Sequence, residues 1–347
     1  MLRTRGGSLR MLWPVVPCLA VCVSAAATAP PAPRGAYLGQ APPGLEPALF
    51  APDFLATDLC ERDITFTPDG REIYLSIQGG NTFADWFSVI AYTRQGGDDR
   101  WTAPRLAPFS GRYTDMEPCV SPDGRRLYFA SNRPLSGAGE PRPDFDIWYA
   151  ERAADGWSEP RNPGAPINSG KEEFYPSLTA DGTLYFTAER EGGRGGEDLW
   201  RARPAAGGGF AEPENLGDSV NTADGEYNAF VARDESYLIF GRRNDLFVSF
   251  RRADGTWTRA VAMGAGVNSP RMDYCPSASP DGEYLFFTST RYPGRDYAKL
   301  LPVYEALEAQ IPDPGHRRLL RIRLFPYEDL YWVRSEVLEP LRQAALR

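Results

Sequence analysis

One short block of residues recurs five times along this chain, and that repetition constrains the fold more than any other feature. The clearest copy runs Glu117, Pro118, Cys119, Val120, Ser121, Pro122, Asp123, Gly124, then Arg125, Arg126, Leu127, Tyr128 and Phe129. Residues 175–186 (YPSLTADGTLYF), 275–287 (CPSASPDGEYLFF) and 63–75 (DITFTPDGREIYL) repeat it. Residues 228–240 (NAFVARDESYLIF) are a degenerate copy with Glu235 in place of Gly. The repeat aspartates Asp69, Asp123, Asp181, Asp234 and Asp281 are spaced 54, 58, 53 and 47 residues apart.

Two further elements keep step with the first. Asp146-Ile147-Trp148, Asp198-Leu199-Trp200, Asp245-Leu246-Phe247 and Asp329-Leu330-Tyr331 form one; blade one has Ser88-Val89-Ile90 without the acid. Trp101 to Pro104, Trp157 to Pro160 and Phe210 to Pro213 form the other, weakened at Trp257 to Ala260. Asp-Gly suits a tight hairpin because its turn needs residues that tolerate positive φ. Each period therefore reads as four short strands, one propeller blade, and five periods predict an all-β, five-bladed β-propeller. The fifth period lacks a fourth strand, whereas residues 45–50 resemble one and precede any first strand. The N-terminal segment is thus expected to close the ring, which removes free edges. In the fifth copy 48 residues separate the repeat Asp from the next one, against 23, 17 and 11 in the three before it. This predicts a short helical insertion over 292–325 in blade five.

The ends read differently. Residues 1–29 carry Arg3, Arg5 and Arg10, then an apolar run and an Ala27-Thr28-Ala29 cleavage pattern, which reads as a secretory signal. Leu19, Ala20, Val21 and Cys22 partly resemble a lipobox, but Val21 occupies the small-residue position, which favours cleavage over lipid anchoring. Residues 30–44, rich in Pro and Ala, read as a linker, 45–334 as the propeller and 335–347 as a terminal helix. The expected location is periplasmic or secreted, with no transmembrane segment in the mature chain. Cys60, Cys119 and Cys275 are an odd set that allows at most one disulfide; three small buried thiols is the preferred reading.

Composition excludes several functions. Net charge is −8 and the signal contributes only positive charge, so phosphate-rich nucleic acid is disfavoured as a partner. His316 is the single histidine, which argues against His-based metal sites and paired-imidazole catalysis. Nucleophile-elbow, Walker and HExxH patterns are missing from the sequence.

The Ser-Pro-Asp-Gly turn, the aromatic strand after it, Ser131-Asn132-Arg133 and then Asp146-Ile147-Trp148 together resemble the WD40-like propeller repeat of the TolB-like family, over residues 45–334. The resemblance implies the fold. It says less of function, because that repeat occurs in binding scaffolds and in enzyme-associated propellers. Five-bladed furanosidases share the blade number without the motif. Lyases on TolB-like propellers use several histidines, which this chain lacks.

An acid stands eight residues before every repeat Asp: Glu61, Asp115, Glu173, Glu226 and Asp273. These are the candidate ligand-binding residues. Five like charges near one channel mouth would attract a cation, and all-oxygen ligands would suit calcium. The competing expectation is structural: Arg133, Arg190, Arg243 and Arg291 recur in step and could pair with the acids. The repeat aspartates and the strand-three aspartates are expected to hold turns and backbone. Departures from the repeat at 81–86, 133–145 and the blade-five insertion are further candidates. The sequence points to no catalytic residue and no cofactor beyond a divalent cation. It supports an exported, non-enzymatic propeller that binds a protein or a cell-envelope polysaccharide. The alternative is a carbohydrate-active hydrolase or lyase using channel carboxylates, with or without a divalent cation.

Overall fold

The computed structural model describes residues 32–347 except 53, 57–58, 81–85, 155, 292–300 and 323–327. The signal-like segment with Cys18 and Cys22, most of the 81–86 departure and both flanks of the blade-five insertion lie outside the described residues.

Strand β1 (Ala48–Leu49) is followed by blade one, β2 (Cys60–Phe66), β3 (Glu72–Gly79), β4 (Phe87–Arg94) and β5 (Arg105–Leu106). Blade two is β6 (Asp115–Val120), β7 (Arg126–Ser131), β8 (Asp146–Ala153) and β9 (Gly156–Trp157); blade three is β10 (Glu173–Leu178), β11 (Leu184–Ala188), β12 (Asp198–Ala202) and β13 (Glu214–Asn215). Blade four is β14 (Glu226–Val231), β15 (Tyr237–Arg242), β16 (Asp245–Phe250) and β17 (Val261–Ala262). Blade five is β18 (Asp273–Ala278), β19 (Tyr284–Ser289) and β20 (Asp329–Arg334), completed by β1. Ala48 lies opposite Trp332 and Leu49 opposite Tyr331, so the N-terminal strand closes the ring as the repeat arithmetic requires. The first strands β2, β6, β10, β14 and β18 neighbour one another in a circle around the channel.

The core lies between blades, because successive side chains of a strand face opposite sides of its sheet. Leu127 and Phe129 pack with Tyr74 and Ile90 of blade one, while Tyr128 between them packs with Leu184 and Phe186 of blade three. Trp157 donates from Nε1 to Tyr74 Oη at 2.8 Å, and Trp257 meets the Tyr185 ring edge-on, so these aromatics join adjacent blades. The repeat aspartates hold the hairpin turns. Asp123 accepts from Ser121 Oγ at 2.6 Å and from the Arg125 amide at 3.0 Å, and Asp69, Asp181 and Asp281 do the same with their own neighbours.

One segment differs from expectation, and the expected helical insertion takes a path the sequence did not give. The linker of residues 30–44 packs on the ring from Pro33 onward. Leu38 is buried with Phe50, Phe286 and Trp332, Tyr37 donates to Asp281 Oδ2 at 2.8 Å, and Trp101 donates from Nε1 to the Gly35 carbonyl at 2.7 Å. Tyr37 and Leu38 supply apolar area that a composition rich in Pro and Ala conceals. The blade-five insertion, helices α1 (Leu301–Glu308) and α2 (Pro314–Leu320), crosses onto blade one. Leu307, Ile311 and Leu320 are buried with Ile77, Phe87 and Val89. The chain ends in a 3-10 turn, Ser335–Leu338, and helix α3, Glu339–Ala345.

Candidate functional site

The five predicted acids are all fully buried. Four are held inside their own blades. Asp115 accepts from Arg133 Nη2 at 2.5 Å and Ser131 Oγ at 2.7 Å. Asp273 accepts from Arg291 Nη2 at 2.6 Å and Ser289 Oγ at 2.6 Å. Glu173 pairs with Arg190 at 3.3 Å and is bonded by Ser169; Glu226 pairs with Arg242 Nε at 2.6 Å and accepts from Thr222 Oγ1 at 2.6 Å. Each arginine also donates to a carbonyl of the loop entering its blade: Phe109, Ile167, Val220 and Val267. Glu61 occupies the equivalent place on β2, where its amide donates to the Glu328 carbonyl at 3.1 Å.

In blade four the partner is Arg242, not Arg243. In the other three blades the arginine lies two residues beyond the one opposite the acid. Here β15 and β16 are joined by Arg243 and Asn244 alone, so Arg242 stands directly across from Glu226. Arg243 turns out at φ 58° to an exposed pair with Asp224. Among the described residues no group of three or more His, Cys, Asp or Glu is placed to hold a metal ion.

A different set of residues meets in the channel. Every first strand carries a bulge six residues before the repeat Asp. The bulged residue has a left-handed backbone in all five blades: Asp63 (φ 58°), Glu117 (60°), Tyr175 (51°), Asn228 (54°) and Cys275 (51°). Non-glycine residues avoid that region, and its fivefold recurrence aims five side chains inward at some cost in strain. All five are buried, and they share one network. Arg62 donates to Asp63 Oδ2 (2.8 Å), Gln78 Oε1 (3.0 Å), Glu117 Oε1 (3.1 Å) and Cys275 Sγ (3.3 Å). Glu117 also accepts from the Tyr175 amide at 2.7 Å and Asn228 Nδ2 at 3.2 Å, and Tyr175 Oη donates to the Pro276 carbonyl at 2.9 Å. Every blade contributes.

Burial pushes Glu117 up to about 8; the nearby Asp63 charge adds to this, while Arg62 and the Tyr175 and Asn228 donors pull it back. Glu328, at the entry to β20, is fully buried. Its pKa is pushed up to about 7 by burial, against the pull of Arg62. The Cys275 thiol is raised, by burial first, and Cys119 and Cys275 are free thiols.

Asp63, Glu117 and Tyr175 form the floor of a cavity of about 310 Å³ that opens at the hairpin-turn end of the channel. Its walls are largely apolar, with Phe66, Val120, Leu178 and Phe230, and prolines from three of the repeats. This constellation was missed from the sequence, although a signal existed. The five equivalent positions hold five different polar residues, in a repeat whose turn aspartate and paired acid recur in every blade. The position before them is Met116, Phe174, Tyr227 and Tyr274 in four blades and Arg62 in the first.

No family model matches the chain, and no curated protein is significantly similar to it. Solved propellers are similar at low identity. A protein described as TolB from Agrobacterium tumefaciens is 16% identical, over 70% of this chain and 72% of its own, with a TM-score of 0.44. An α-L-arabinofuranosidase from Lactobacillus brevis is 13% identical, over 82% and 93%, with a TM-score of 0.48. An arabinanase from Bacillus subtilis is 9% identical, over 80% and 95%, with a TM-score of 0.46. Likeness at this level transfers no activity; the five blades themselves establish the propeller.

Proposed function

We propose that this chain is an exported binding propeller that takes its ligand, a segment of a protein or a cell-envelope component, in the cavity at the hairpin-turn end of the channel. One observation carries the reading. At the bulge shared by all five blades the residues differ in chemistry, as Asp63, Glu117, Tyr175, Asn228 and Cys275, and three of them, Asp63, Glu117 and Tyr175, line the cavity. A purely structural position in a repeat keeps its chemistry, as the five buried acids keep a carboxylate. A position that breaks symmetry while facing a cavity is what selective recognition requires. The signal-like leader supports the exported location.

The test is peptide and glycan selection against the purified chain and an Ala278→Trp variant. Ala278 is half-buried and lines the cavity, so the indole fills it. With thermal melts showing the variant folded, ligands should bind the parent and be lost from the variant. Ligands bound equally by both would place recognition elsewhere and overturn the reading.

A second reading, hydrolysis by channel carboxylates, draws support from Asp63 and Glu117 lining one cavity with the Glu117 carboxyl raised. It predicts turnover of aryl glycosides that Glu117→Gln removes.

A further inference from the structure

The floor of the cavity is unevenly charged. Asp63 and Glu117 line it, but Arg62, which pairs with both, is not among the lining residues and lies behind them. Asp234 and Asp281 add acid near the rim, and Arg233 is the one cationic residue in the lining.

Two polar atoms in this lining are unsatisfied. Asp63 is 2% exposed; Arg62 holds its Oδ2, the Cys275 thiol is a weak donor to the carboxylate, and Oδ1 has no N–H or O–H partner. Ser277, half-buried on β18, has its Oγ enclosed and equally unpartnered. Its counterparts are engaged across the blade interface: Ser177 Oγ accepts from the Val231 amide at 3.0 Å and Thr65 Oγ1 from the Val120 amide at 3.3 Å. A buried carboxylate oxygen without a donor costs its full desolvation penalty, which a ligand that brings a donor can recover. Both orphans can accept, and they lie on adjacent blades in the closed ring.

We propose that the cavity recognises a primary ammonium group carried on an apolar body, its hydrogens bonded to Asp63 Oδ1 and Ser277 Oγ. This rests on the channel-binding reading above. An ammonium presents three donors and one charge, and so can satisfy both acceptors at once. The apolar walls suit the methylene stem of a lysine and its neighbours in a polypeptide better than the hydroxyl-rich faces of an aminosugar.

Ligand-observed NMR on the full chain tests this with three probes of one shape: 4-phenylbutylammonium, the neutral 4-phenylbutanol and the anionic 4-phenylbutyrate. The cation should bind at least about tenfold more tightly than the alcohol, as a charge-assisted hydrogen bond in a buried site allows. The anion should not bind. Ser277→Ala leaves the Arg62–Asp63 pair intact and should weaken the cation several-fold without affecting the alcohol; Asp63→Asn should abolish the preference. A second comparison sets N-acetyl-leucyl-lysine amide against glucosamine, and tighter binding of the aminosugar would overturn the polypeptide source. If the alcohol or the anion matches the cation, the ammonium assignment falls while channel binding stands. If no probe binds, water satisfies the two orphans and the assignment falls; the cavity-filled variant then judges channel binding separately.

Discussion

Arg62 of blade one donates from Nη2 to Glu117 Oε1 of blade two at 3.1 Å, and through this bond the first strands of the whole ring are connected. The same guanidinium reaches Asp63 on its own strand and Cys275 of blade five. A closed ring of blades needs its inner strands fixed where they crowd the axis. Here the fixing is polar and asymmetric, whereas the layers between blades are apolar and nearly repetitive.

Removal of Arg62 leaves Asp63 and Glu117 buried without their counter-charge. We expect Arg62→Met to lose about 3–5 kcal/mol of stability in urea denaturation, the range for breaking a buried pair from one side. Glu117→Gln keeps an acceptor for Arg62 and replaces a carboxyl that is largely protonated at neutral pH, and should cost clearly less. Equal losses in the two variants would show that the network contributes packing and not charge.

The raised carboxyls set a pH dependence. Glu117 and Glu328 hold their protons in the folded state at pH values where the unfolded chain has released them. Between the ordinary glutamate range and about pH 8 the native state therefore binds more protons, and stability falls as pH rises, by at most about 1.4 kcal/mol per unit for each group. The turn aspartates act in the opposite sense. At Asp123 partial burial raises the pKa, but the bonds from Ser121 and the Arg125 amide outweigh it and hold the group below its ordinary value. That contribution is present above the aspartate range and is lost as pH falls through it. Thermal melts should peak in mildly acidic buffer, and Glu328→Gln should flatten the alkaline side alone. A melting temperature rising steadily to pH 8 would contradict the burial of both glutamates.

The blades, the closing strand and the turn aspartates were legible because each repeats a physical demand: a tight hairpin, an apolar layer, a buried pair. The acids from Asp115 to Asp273 were legible as pairs for the same reason, and only the loop length in blade four moved the partner from Arg243 to Arg242. Asp63, Glu117, Tyr175, Asn228 and Cys275 were harder to see. Attention to what repeats passes over a position whose meaning is that it differs, and a bulge leaves no signature in hydrophobic periodicity. The path of the insertion onto blade one was likewise hidden, since an amphipathic helix does not name the face it covers.

The corrected pairing in blade four separates structural acids from surface ones. Asp115 is fully buried against Arg133, whose side chain is 6% exposed, whereas Asp224 and Arg243 are largely solvated. Asp115→Asn should cost about 3–5 kcal/mol, and Asp224→Asn should change stability by no more than about 0.5 kcal/mol. Chemical denaturation of the two variants checks this, and a large loss at Asp224 would restore Arg243 as the blade-four partner.

Gly79, at the end of β3, sits where helix α2 meets blade one. A Cβ built there would fall 2.3 Å from the Leu319 carbonyl oxygen and 2.5 Å from Leu320 Cα, both backbone atoms that cannot rotate away. The adjoining Gly80 amide donates to the Ile322 carbonyl at 2.8 Å, and His316 stacks on Phe87 with ring centroids 3.9 Å apart. Gly79→Ala should therefore push α2 off the blade at a cost of about 1–3 kcal/mol, the usual range for overpacking. Hydrogen exchange should show faster amide exchange in 314–322 and in β4, with the four-stranded sheets of blades two to four unchanged. Uniform acceleration across all five blades would instead mean that the insertion is required for ring closure itself, acting through the layer it shares with Phe50, Phe286 and Trp332.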